Sequence, residues 1–394
     1  MEDTSIIDLP RLMKIGVVKE REVAERRVAL NPDTVAKLVK QGYVVLVEAG
    51  AGELSFYSDV DYQAAGAEIK TELEEVWGGV DVLLKVAPLR EREIDWLRPG
   101  STLISFLSPL SQPEHIQRLA EKNITAFALE LIPRSSRAQV MDALSSQAGV
   151  AGYQAVLVAA AALPKFFPML TTAAGTIPPA KVFIIGAGVA GLQAIATARR
   201  LGAIVEAFDI RPAVKEEVQS LGAKFVEVAL EEDTVAAGGY AKEVSVAAKQ
   251  KTQEAIAAHV QTADVVITTA QVPGRTAPLL VTEEMLLAMK PGSVVVDLAA
   301  EQGGNCAWTE AGREIVRNGI TVIGPINLPS SLSIQASQMY AKNISTLLTY
   351  LTKDGELNLD FSDDIIGGAC VTHGGEIRNE RVKQALHQLE TVAV

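Results

Sequence analysis

The sequence predicts an α/β protein built from two Rossmann-like parallel-sheet domains, one inserted into the other, with a cleft between them. Three observations carry that reading. Short β-branched runs alternate with helical stretches from Lys14 onward, a second series with the same rhythm starts at Val182, and a glycine-rich turn separates the first strand and first helix of that second series. A chain of 394 residues exceeds one compact core, since domains run to roughly 150 residues each.

In the first series, strands are expected at 15–18, 44–48, 80–85, 102–106 and 125–128, with helices near 32–41 and 59–65 between them. An apolar stretch over 148–163 follows, interrupted by Tyr153 and Gln154 and closed by Pro164 and Lys165. It falls short of the roughly 20 apolar residues a spanning helix needs and reads as a buried helix. The second series places six strands at 182–185, 204–208, 224–228, 265–268, 293–297 and 321–323, the content of a doubly wound sheet. A long helix over 333–352 and a short, Gly-rich tail are expected to cross back onto the first domain. The expected domains are therefore 14–140 with 330–394, and 141–329.

A formal net charge of −12 argues against nucleic-acid binding and against direct adsorption to anionic lipid. Membrane association would have to run through a protein partner. Cys306 and Cys370 are the only cysteines and form no C-x-x-C pair, so neither a disulfide framework nor a zinc site is indicated and a reducing cytoplasm fits. Residues 1–13 lack the basic and apolar regions of a secretory signal and read as an extension.

The glycine turn carries the first chemical signal. Gly186, Gly188 and Gly191 form G-x-G-x-x-G between an apolar strand and an Ala-rich helix. In that context the first glycine makes the turn, the second lets backbone approach a pyrophosphate, and the third lets the helix pack on the sheet. The helix N-terminus adds N–H donors and the positive end of its dipole. Asp209 ends the next strand, about twenty residues on, where a carboxylate accepts hydrogen bonds from the adenosine ribose. Such a carboxylate would repel a 2′-phosphate, which selects NAD(H) over NADP(H). Arg211 stays open between a contact to a 2′-phosphate, a lid over the adenine and a surface charge. After the fourth strand, Ala270 and Gln271 fall where such sheets hold the nicotinamide half. The segment 230–244, with Gly239 and Tyr240, reads either as a mobile lid over the nucleotide or as a surface loop. With Val189 and Ile210 these residues make up the expected cofactor-binding set.

No histidine stands out as a base: His115, His259, His373 and His387 all read as packing or solvated residues. A richer cluster, Arg134, Arg137, Gln139, Asp142 and Ser145, precedes the buried helix. It reads either as a polar linker with helix caps or as a set of positioning groups.

Across nearly the whole chain, the motifs at 13–20 and 27–32, the glycine turn, and the runs at 134–147, 238–243 and 296–304 resemble the alanine dehydrogenase and transhydrogenase family. Within it they are most similar to the NAD(H)-binding component of proton-translocating transhydrogenases. The resemblance implies hydride transfer between NADH and NADP(H) held on a partner subunit, with a membrane-spanning subunit conducting protons. It also implies a homodimer, peripheral to the membrane through its partners. Gln139, Arg134, Asp142 and Ser145 would then be the catalytic set, orienting the nicotinamide, and Tyr240 part of the lid. Passage between two nicotinamide rings needs close, oriented approach rather than a base. The alternatives are an alanine dehydrogenase, for which Arg27 and Lys85 match substrate-binding positions, and a non-enzymatic NAD(H) sensor. Against the dehydrogenase, Ser108 stands where those enzymes carry a histidine, and Glu301 where they carry an aspartate.

Overall fold

The computed structural model describes residues 12–228, 245–272 and 274–392. The expected lid residues Gly239 and Tyr240 lie outside them. The chain divides into two compact units, Met1–Leu144 with Ser333–Val394, and Ser145–Leu332.

The first unit is an eight-stranded sheet. Its order is Glu376–Ile377, Cys370–His373, Thr125–Ala128, Thr102–Ser105, Val82–Leu84, Lys14–Val17, Val44–Glu48 and Glu68–Lys70. The last six run parallel, and the two from the chain's end add antiparallel at one edge. A parallel sheet must be covered on both faces, and the continuous apolar runs at 44–48 and 82–84 match that requirement. On one face the returning helix Ser333–Tyr350 buries Tyr340, Ile344, Leu347 and Leu348 against Val28, Leu30, Val82 and Phe127. Polar contacts fix its register: Tyr340 donates to the Lys85 carbonyl at 2.7 Å, and the Val28 amide donates to Ser337 Oγ at 3.0 Å.

The tail is more ordered than its glycines suggest. Asp363 caps the helix Asp364–Ala369, the hairpin Cys370–His373/Glu376–Ile377 follows, and the chain ends in the helix Glu380–Val392. The glycines close turns instead of breaking structure: Gly374 and Gly375 take positive φ at the hairpin tip.

The second unit holds seven strands, not six. Their order is Lys224–Phe225, Ile204–Phe208, Lys181–Ile185, Val265–Thr268, Val294–Asp297, Ile320–Gly324 and Arg313–Arg317. All pairings are parallel except the last. The unforeseen strand Arg313–Arg317 is an exposed, charged edge strand, which needs no apolar alternation because only one side of it is paired. At the other edge the strand expected over 224–228 stops at Phe225, its only partner being Ile204–Phe208.

Two cations in the first unit are engaged internally. Lys85, 1% exposed, pairs with Glu20 and lies 3.8 Å from Glu93. Arg27 meets Glu25 through Nη2 at 2.6 Å and Nε at 2.8 Å. Burial pushes the Glu20 carboxyl upward, with Lys85 opposing the shift. Lys85→Met would strip the cation from two buried carboxylates and is expected to cost about 3–5 kcal/mol at pH 8. Because the raised Glu20 takes up a proton in the folded variant before the unfolded chain does, the deficit shrinks toward pH 5. Denaturant unfolding at both pH values checks this, and a pH-independent loss below about 1 kcal/mol would contradict it.

Candidate functional site

The strand order of the second unit reverses between Lys181–Ile185 and Val265–Thr268. At such a switch point the loops leaving the carboxyl ends of neighbouring strands diverge and leave a crevice. Ile185 leads there into the glycine turn, and Thr268 into the segment 269–271.

Gly186 has φ +99°, and a Cβ on it would sit 2.4 Å from Thr269 Oγ1. Gly191 allows no side chain at all, since a Cβ would lie 1.9 Å from the Gly186 carbonyl oxygen. This close approach brings the first turn of the helix Val189–Arg200 onto the strand end. Gly188, the N-cap, differs from both: a Cβ there would meet nothing within 4 Å. The space above Gly188 is thus open to a ligand, and the first-turn amides, which have no intrahelical acceptors, lie beside it. Val189 is exposed next to it. The set fits a dinucleotide diphosphate.

Asp209, only 8% exposed, ends the strand Ile204–Phe208. Its Oδ2 accepts from the Ala187 amide at 2.7 Å and from Arg211 Nη2 at 2.7 Å, and its Oδ1 accepts from Arg211 N at 2.9 Å and Nε at 2.8 Å. These four bonds use the acceptor positions of a carboxylate. The hydrogen bond to Asp209 raises the Arg211 guanidinium above its ordinary value. Arg211 therefore neutralises Asp209, and a ribose diol could reach the carboxylate only by displacing the guanidinium. Ile210 lies half-buried between the two.

Across the turn, Thr269 Oγ1 donates to the Gly186 carbonyl at 3.1 Å. Ala270 is half-buried, and exposed Gln271 donates through Nε2 to the Leu298 carbonyl at 2.6 Å. Gly186, Gly188, Gly191, Asp209, Arg211 and Ala270 thus share one rim. Sequence reasoning missed Thr269 as the tie across it, although a hydroxyl directly after a buried strand was a usable signal.

The polar cluster before the long helix Ala143–Ala162 belongs to a different region of the chain. Arg134 and Gln139 are exposed, Gln139 opening the short turn Gln139–Met141. Asp142 immediately precedes the helix and Ser145 lies in its first turn, both half-buried. The backbone beneath them is anchored: Met141 is buried, Asn343 Nδ2 donates to the Val140 carbonyl at 2.9 Å, and Arg137 pairs with Asp363 at 3.1 Å and with Asp364.

Ser108 has φ +48°, and its amide donates to Glu130 at 2.5 Å. Burial raises the Glu130 carboxyl. His259 meets Glu206 at 2.5 Å and stacks on Phe183, and His373 meets Thr125 at 3.0 Å. Among the described residues no helix is long and apolar enough to cross a membrane, and no group of three or more His, Cys, Asp or Glu could hold a metal ion.

The glycines give a paired prediction. Gly191→Ala forces backbone apart and is expected to destabilise the protein by about 3 kcal/mol or more. Gly188→Ala should leave stability within about 0.5 kcal/mol while weakening dinucleotide binding about tenfold or more. Thermal unfolding with nucleotide titration separates them, and equal stability of the two variants would refute the packing argument.

Comparison with known proteins gives a consistent result. Residues 16–151 match the family model "Alanine dehydrogenase/PNT, N-terminal domain" and residues 155–380 match "Alanine dehydrogenase/PNT, C-terminal domain". The chain is 46% identical over 374 residues to an NAD(P) transhydrogenase subunit alpha chain of Rhodospirillum rubrum, covering 93% of this chain and 97% of that protein. The crystal structure of transhydrogenase from Sinorhizobium meliloti is similar at 45% identity and a TM-score of 0.84, covering 92% of this chain and 99% of that one. A solved L-alanine dehydrogenase is similar at 26% identity and a TM-score of 0.80, covering 96% of this chain and 100% of that one. With both family models matched and the transhydrogenase relatives aligned nearly end to end, the chain belongs to the alanine dehydrogenase/transhydrogenase family of oxidoreductases.

Proposed function

We propose that this chain is the NAD(H)-binding subunit of a proton-translocating transhydrogenase. It would exchange a hydride with NADP(H) held on a partner subunit, while a membrane-spanning subunit couples the exchange to proton movement. The observation that carries this reading is the near full-length similarity to a transhydrogenase alpha subunit. The glycine turn supports it, being closed by packing at Gly191 and open above Gly188. A homodimer, peripheral to a membrane through its partners, completes the proposal.

In this reading Gly188, Val189 and the first-turn amides hold the diphosphate, Asp209, Ile210 and Arg211 the adenosine ribose, and Ala270 and Gln271 the nicotinamide side. Gly239 and Tyr240 belong to the same proposal. When bound, NAD(H) supplies or accepts the hydride at its nicotinamide ring. The chain's role is orientation and exclusion of water, assigned to Gln139, Arg134, Asp142 and Ser145. A proton-managing base is not required, which suits Ser108 with its amide tied to Glu130. Amino-acid oxidation is disfavoured because Arg27 and Lys85, the cations that a carboxylate substrate would need, are buried on Glu25 and Glu20.

The test mixes the chain with an NADP(H)-binding transhydrogenase subunit and follows reduction of an NAD analogue by NADPH. Transfer that depends on both components supports the proposal. Alanine-dependent NADH formation by the chain alone would replace it with a dehydrogenase, and NADH binding without turnover in either assay would replace it with a sensor. Gln139→Ala should lower transfer about a hundredfold with NADH affinity nearly unchanged. Parallel loss of both would remove its orienting role. Arg211→Gln leaves the Asp209 carboxylate uncompensated, so NADH should bind at least as tightly and NADPH several-fold more weakly. An unchanged NADH/NADPH ratio, measured by fluorescence titration, would show that shape sets the preference.

A further inference from the structure

Asn305 lies in the loop after the strand Val294–Asp297, wholly buried, and its side chain grips one residue of the site at both ends. The Ala270 amide donates to Asn305 Oδ1 at 3.1 Å, and Asn305 Nδ2 donates to the Ala270 carbonyl at 2.9 Å. The second Nδ2 proton goes to the Pro278 carbonyl at 2.8 Å. A carboxamide presents one acceptor and two donors, so it can serve a backbone N–H and C=O together as a strand neighbour does. Ala270 needs such a neighbour because the ladder of its strand ends with the pair Thr268↔Asp297.

Asn305 is in turn placed by Asp297. That buried carboxylate accepts from Asn305 N at 2.6 Å, Cys306 N at 3.0 Å and Thr309 Oγ1 at 2.6 Å through Oδ2, and from Thr268 Oγ1 at 2.8 Å and Ala299 N at 2.9 Å through Oδ1. The Asn305 carbonyl accepts from Leu280 N at 2.8 Å and Val281 N at 2.9 Å. From the other side Thr269 Oγ1 ties the same segment to the Gly186 carbonyl. Aspartate could not replace this asparagine: it lacks the donors for Ala270 and Pro278 and would put a second buried carboxylate beside Asp297. Serine or alanine would not span the distance.

We infer that Asn305, held by Asp297, is a positioning residue that fixes the segment 269–271 and so the orientation of the nicotinamide half of the dinucleotide. The inference rests on the functional reading above. Its effect belongs to the transferring half of the site and not to the adenosine half.

Asn305→Ala and Asn305→Ser are compared with the unaltered chain in the reconstituted transfer assay, with affinities for NADH and for ADP-ribose measured by calorimetry. ADP-ribose keeps the adenosine, diphosphate and second ribose but lacks the nicotinamide, so its binding reports an intact glycine turn and Asp209. The expected result is a fall in kcat of about tenfold or more, a weakening of NADH by about three- to tenfold, and a change in ADP-ribose affinity below about twofold. An unchanged kcat in a variant that binds ADP-ribose normally overturns the inference, as does equal loss of NADH and ADP-ribose affinity. If neither variant folds, amide hydrogen exchange on the unaltered chain decides: a protected Ala270 amide supports the clamp, and rapid exchange there overturns it. If the unaltered chain binds NADH but passes no hydride with its partner, the functional reading fails. The NADH-to-ADP-ribose affinity ratio, which needs no partner, then still decides the role of Asn305.

Discussion

The helix Val189–Arg200 is held where backbone meets backbone, and the site depends on that contact. A methyl group at Gly191 would lie 1.9 Å from the Gly186 carbonyl oxygen, and one at Gly152 would lie 2.0 Å from the Ala190 carbonyl oxygen. The helix start is therefore pressed on one side by the glycine turn and on the other by the helix Ala143–Ala162. Neither contact has a flexible side chain that could give way, so the direction of the first-turn amides is fixed by packing before any ligand arrives. Close-packed interiors transmit such constraints without much relaxation. Fixed amides aimed at open space lose little reorganisation energy when an anion binds, and Gly188 leaves that space clear.

Charge is handled by one local device with two outcomes. In each unit an arginine folds back on a carboxylate two residues earlier, Arg27 on Glu25 and Arg211 on Asp209. Exposure separates their meaning. The Arg27 and Glu25 side chains are 7% and 1% exposed, so neither ion can leave without a large desolvation penalty. The Arg211 side chain is 19% exposed at the rim of the site, where solvent or a ligand can take over its bonds. The first pair is a structural fixture and the second is exchangeable. Reading Asp209 as a bare charge, as its sequence position alone invites, overstates the repulsion it exerts while Arg211 is in place.

Much of this architecture is legible in the residues. The strands Val44–Glu48, Thr125–Ala128, Ile204–Phe208 and Val265–Thr268 fall where the β-branched runs put them, because buried parallel strands tolerate little else. Arg313–Arg317 was illegible by hydrophobic pattern since its side chains are largely exposed. A different signal was present: Asn318 and Gly319, both at positive φ, form the Asn-Gly turn that joins it to Ile320–Gly324. The tail misled for the opposite reason, its glycines suggesting loop where Asp363 caps a helix. At the site, the glycine turn and Asp209 could be read because their spacing is local. The tie from Thr269 to Gly186 spans 83 residues and the clamp from Asn305 to Ala270 spans 35, and no periodicity encodes contacts of that kind.

A site without a proton-transfer group has to derive its rate from geometry, and the structure is consistent about how geometry is imposed. The two segments assigned to the nicotinamide, 139–142 and 269–271, are both irregular and would be the loosest regions of their units if left to themselves. Each is held instead by an asparagine from a distant element: Asn343 of the returning helix on the Val140 carbonyl, and Asn305 on both backbone groups of Ala270. A carboxamide suits this task because it satisfies backbone groups without bringing charge into a buried place where Asp297, Glu130 or Glu20 already stand. A charged clamp would have shifted those neighbours, and an apolar one would have left backbone groups unpaired. Uncharged anchoring behind exposed side chains such as Gln139 and Gln271 leaves those side chains free to answer to a cofactor while their backbone does not move.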